Sequence, residues 1–149
     1  MTTSSHPVTS SPTVLPIELA AAAWFALQAV LGVVLWVGAG ASDVVRSWLE
    51  LVADHPEVTD AFLPADVMVI VASATAAWAL GRGRPWAVVP VMVTVGGVLY
   101  PTAYLIGWVV STDGTGEVAL GIMVATSAVT CGMATLLWRG RRRGNASQR

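Results

Sequence analysis

The sequence predicts an all-α fold, a transmembrane four-helix bundle with a short interfacial helix in the first outer loop. Three observations predict it. Of 149 residues, 55% are hydrophobic and only 11% are charged, against about a quarter charged in a typical soluble domain. The apolar residues collect into four runs, each long enough to cross a hydrocarbon core of about 30 Å at about 1.5 Å per residue. The few charges between these runs are sorted by sign, as a membrane sorts them. Helices are expected rather than a barrel because each run is continuous. A helix also satisfies its backbone donors within its own segment.

The first span covers about residues 16–40, "PIELAAAAWFALQAVLGVVLWVGAG". Residues 39–41, "AGA", resemble a signal-peptide cleavage site. The apolar run nevertheless exceeds a typical h-region of about 7–15 residues, and no Lys or Arg precedes it, so a retained span is expected. Residues 1–15, rich in Ser, Thr and Pro, are expected to form a disordered cytoplasmic tail. After the span, "SDVVRSWLELVADHP" is too short and polar to cross. Ser42 or Asp43 is placed to cap a helix there, and Val44, Val45, Trp48, Leu49 and Val52 share one face, which predicts a helix lying in the interface. In "DHPEVTD", Asp54, His55, Glu57 and Asp60 lack the glycine-turned spacing of a calcium loop, so a solvated acidic loop is expected.

The second span, about residues 63–80, opens on Pro64 and Asp66. Proline suits the first helical turn because its missing N–H has no partner there, and an aspartate beside it meets the positive end of the helix dipole. Asp66 is therefore read first as a helix lip. The third span covers about residues 86–110. Pro101 removes the donor to the Gly97 carbonyl, so a hinge is expected at Gly97 and Pro101. The fourth, about residues 118–138, carries Gly121 with Ala125 and Ala128 with Gly132. These are small-x-x-x-small pairs of the kind that let membrane helices approach closely, like Ala22 with Ala26 in the first span. Residues 139–149 form a basic cytoplasmic tail.

Orientation follows from arginine. Arg82 and Arg84 lie in the turn "GRGRP", and Arg139, Arg141, Arg142, Arg143 and Arg149 lie in the tail. The other two loops hold seven acids against Arg46 alone. The positive-inside rule then predicts a multi-pass cell-membrane protein with both termini cytoplasmic. Tryptophan agrees, with Trp36, Trp48 and Trp108 at the outer face, Trp78, Trp86 and Trp138 at the inner one, and Trp24 as the exception. All eight cations are arginine, which fits a bacterial, high-GC coding bias.

Polar groups inside spans are costly and mark candidate sites. Asp66 and Ser73 share a face of span two, and Tyr100 and Tyr104 share one of span three. With Gln28 deeper, they define a candidate outer-leaflet pocket for a small solute or lipid. In the competing reading the hydroxyls satisfy one another and the carbonyl freed by Pro101. Enzymatic chemistry lacks its parts. His6 and His55 lie outside the spans, and Cys131 has no second thiol, so no catalytic, metal or cofactor group is assigned. The function expected is that of a non-enzymatic accessory or interaction subunit. Its partners are the lipid bilayer and either a second copy or another membrane protein, and no nucleic acid. A transporter using the pocket near Asp66, Tyr100 and Tyr104 is the alternative.

Overall fold

The computed structural model describes residues 16–50, 59–111 and 117–146, with side chains to residue 142. The expected N-terminal tail, Val52, the acidic residues Asp54, Glu57 and Asp113, and His55 lie outside these. Among the described residues there are five α-helices and no strand. They are α1 (Pro16–Ala41), α2 (Asp43–Leu49), α3 (Leu63–Gly81), α4 (Val88–Ser111, entered through a 3-10 turn at Pro85–Ala87) and α5 (Glu117–Ala146). All except α2 are long and apolar enough to cross a membrane.

Side-chain size is distributed in the reverse of a soluble bundle. Large residues point outward, among them Leu31, Val34 and Val37 on α1, Met68 and Val71 on α3, Val89 and Met92 on α4, and Val118 and Ile122 on α5. Ala21, Ala76, Ala79 and Ala87 are fully buried, together with Ser73, Thr94 and Thr130, and only Phe25 and Leu80 add bulk to that set. Water would drive the large apolar groups inward, because burial of each is worth about 1.5–3 kcal/mol. Lipid exerts no such drive, and helices then associate through small residues that let backbones approach. The chain is a multi-pass membrane protein, and the bilayer is its solvent.

Successive spans run antiparallel. Late α1 meets early α3, where a Cβ at Gly32 would lie 2.7 Å from Ile70. The adjacent residue of α3 turns toward α4, where a Cβ at Gly97 would lie 2.5 Å from Val69. Thr102 of α4 bonds Ser127 of α5, and Trp24 of early α1 bonds Thr130 of α5. Each span therefore neighbours the next, and α5 closes the ring against α1.

The turn from α3 to α4 is set by one glycine. Gly83 has φ 61°, in the left-handed region that side chains with a Cβ avoid. This lets the Gly83 N–H reach the Leu80 carbonyl (2.9 Å) and the Arg84 N–H reach that of Ala79 (2.9 Å), the paired bonds of a Schellman ending. Pro85 then starts the next turn.

Two local expectations are corrected. Ser42 takes the N-cap position of α2 in extended geometry, yet its side chain makes no capping bond. Its carbonyl accepts the Arg46 N–H instead. Val45 of this helix packs toward Gly38, while Val44 and Trp48 face outward. The last helix also outruns the expected span, continuing past Trp138 to Ala146. Arginine is a good helix former, and cations are stabilised at a helix C-terminus, so "RGRRR" prolongs α5 rather than ending it.

Candidate functional site

Asp66 stands in the first turn of α3 with Pro64 just before it, as the sequence requires. Its carboxylate does not cap its own helix. Oδ2 accepts the indole N–H of Trp36 at 2.9 Å, across the α1–α3 contact. Trp36 therefore gives this half-buried carboxylate a donor.

The other candidate pocket residues divide between two contacts, Gln28 at one and the two tyrosines beside Phe62 at the other. Gln28 lies at the α1–α5 contact. There Trp24 Nε1 donates to Thr130 Oγ1 at 3.1 Å, and that hydroxyl donates to Gln28 Oε1 at 3.1 Å. A hydroxyl supplies one proton and accepts others, so Thr130 relays the two bonds without conflict. This explains why Trp24 departs from the interfacial belts. Tyr104 packs against Phe62, with centroids 5.5 Å apart, and stacks along Trp108 at 6.4 Å. Tyr100 is exposed and lines a groove between α3 and α4 with Phe62, Met68, Gly97 and Pro101, about 290 Å³ in volume. Ser73 is fully buried in α3, and its Oγ has no hydrogen-bond partner.

Around Pro101 the hydroxyls that gather are Thr102 and Ser127, not the tyrosines or Ser73. Thr102 Oγ1 and Ser127 Oγ lie 2.8 Å apart, and both reach the Val98 carbonyl, at 2.7 and 3.2 Å. Val98 lies one residue beyond the carbonyl of Gly97, which Pro101 leaves without its usual donor. Gly97 acts here by admitting Val69 of α3.

A second polar cluster sits at the arginine-rich end. Arg141 of α5 donates through Nε (3.0 Å) and Nη2 (2.9 Å) to Glu18 Oε1 of α1. It also donates to the carbonyls of Pro85 (3.2 Å) and Arg84 (3.4 Å) in the α3–α4 turn. One guanidinium thereby joins α1, α5 and the turn between α3 and α4. Glu18 stands in the first turn of α1, and the sequence placed Arg141 only in a basic tail. The signal available was that both stand at the same membrane depth. At the opposite end, Arg46 donates to Asp60 at 2.8 Å and stands 3.7 Å from Glu50.

The outward face of α5 is unusually smooth. At about 100° per residue, Gly121, Ala125, Ala128 and Gly132 form one strip on the side away from buried Ser127, Thr130 and Leu137. All four are exposed, and a Cβ at Gly121 or Gly132 would meet nothing within 4 Å. No family model, curated protein or solved structure matches this chain.

Proposed function

We propose that this chain is a non-enzymatic accessory or interaction subunit of a membrane complex. It acts in a bacterial cell membrane with both termini cytoplasmic, and it docks through the outward face of α5 onto a second copy or another membrane protein. The observation that carries this reading is the strip Gly121–Ala125–Ala128–Gly132. It faces away from the bundle, so the chain's own packing does not account for it. Such a strip lets another helix come close enough for dispersion contacts and for weak Cα–H bonds to carbonyls. Purification from native membrane in mild detergent, with mass measurement, tests it. A species heavier than the 15.5 kDa chain is expected, and the Gly121→Leu/Gly132→Leu variant is expected to return it to monomer with its helical content unchanged. A strictly monomeric native chain with no co-purifying protein overturns the reading.

The groove beside Tyr100, Gly97 and Pro101 favours a second reading, a small-solute or lipid transporter using an outer-leaflet pocket near Asp66, Tyr100 and Tyr104, with Gly97 and Pro101 as the hinge. Under that reading Asp66→Asn abolishes proton-coupled flux while leaving expression intact. Undiminished flux in that variant removes it.

A further inference from the structure

We propose that the arginine-rich end of the bundle holds one anionic phospholipid, with an acyl chain in the groove between α4 and α5 and the phosphate at Arg142. The groove has a volume of about 420 Å³ and is walled by Val88, Met92 and Val95 of α4 and by Cys131, Thr135 and Trp138 of α5. From Cys131 to Trp138 the helix rises about 10 Å, so the trough follows the direction a lipid chain takes for a substantial part of one leaflet. Its lining is almost wholly apolar until Arg141, where it reaches the polar end of the bundle.

The charges at that mouth select the headgroup. Arg142 lies on the same side of α5 as Cys131, Thr135 and Trp138, and its guanidinium sits 4.9 Å over the Trp138 ring. Stacking holds the planar cation at the groove's edge with its N–H groups free to turn toward a phosphate. Arg141 is already committed to Glu18 and two backbone carbonyls. Among the described residues no carboxylate pairs with Arg142. A zwitterionic lipid would bring its own cation to this cluster, whereas an anionic one brings net negative charge. This assignment concerns the flank of α5 that meets α4, beside the small-residue strip, and does not depend on that strip.

The full chain in nonionic detergent, mixed with equal phosphatidylglycerol and phosphatidylcholine of identical acyl chains, gives the test by native mass spectrometry. One retained phosphatidylglycerol per chain is expected, enriched several-fold over phosphatidylcholine. Arg142→Gln lowers that enrichment by about fivefold, the loss of one arginine near the surface. Cys131→Phe, which fills the trough, removes the retained lipid. Thr135→Phe, at an exposed lining position, gives the same result should Cys131→Phe disturb folding. Equal retention of the two lipids overturns the proposal. So does phosphatidylglycerol retention that survives both groove-filling variants, since that is attraction to the arginine cluster alone, and so does a co-purifying protein that excludes lipid from the groove.

Discussion

Gly96 and Gly97 are adjacent in sequence and opposite in consequence. A methyl at Gly96 enters open space, while one at Gly97 meets Val69 Cγ2 at 2.5 Å. Valine has no flexible end to move aside, so α3 and α4 must separate. Gly97→Ala is expected to destabilise by about 1–3 kcal/mol, the usual cost of overpacking. Gly96→Ala should be neutral or slightly stabilising, because alanine favours helix. Val69→Ala combined with Gly97→Ala should recover most of the loss. A double-mutant cycle in detergent melting checks this, and additive effects would show that the two residues do not meet. The sequence marks both glycines as permissive, and only the register of α3 against α4 distinguishes them.

Among the elements, α5 shows most clearly what tertiary contact adds. Its apolar part was legible from composition. Its continuation through "RGRRR" was not, because a charged stretch beyond a tryptophan reads equally well as a tail. The structure ties that stretch to Glu18 and to the turn carbonyls through Arg141. Arg141→Gln should weaken the bundle by about 1–2 kcal/mol, the worth of hydrogen bonds to a partly exposed charged group. The loss should concentrate beyond Trp138. Hydrogen exchange at the backbone amides of residues 139–146 measures it, and unchanged protection there would mean the helix end stands without the clasp. The turn from α3 to α4 was more readable, since Gly followed by Arg and Pro marks a helix ending.

The molecule as a whole is asymmetric along its axis. Glu18 is the one carboxylate described at the end where Arg82, Arg84, Arg139, Arg141 and Arg142 gather, and Asp60, Asp66 and Glu50 lie at the other. The positive-inside rule then predicts that the arginine-rich end faces the cytoplasm. A tag placed after Arg149 should be protected from an impermeant reagent on intact cells and become reactive once the cells are permeabilised. Labelling of intact cells would invert the topology and move the proposed lipid to the other leaflet. Tryptophan marks both ends, with Trp78 against Trp86 at 5.7 Å and Arg82 over Trp78 at 4.7 Å on the arginine side.

Composition along the chain was enough to reveal four membrane-crossing helices, close to where each begins, and the charge that each loop carries. Hydrocarbon thickness and the cost of unsatisfied backbone act on every segment separately, so local composition suffices to reveal them. The pairing of polar groups belongs instead to the packed bundle. Asp66 goes to Trp36, Gln28 to Thr130, and Glu18 to Arg141, while Tyr100 and Tyr104 both stand beside Phe62 rather than Asp66. Shared depth and shared helical face narrow the choice of partner, but rotation of each helix about its own axis selects it. That rotation is set by which small residues meet across the bundle.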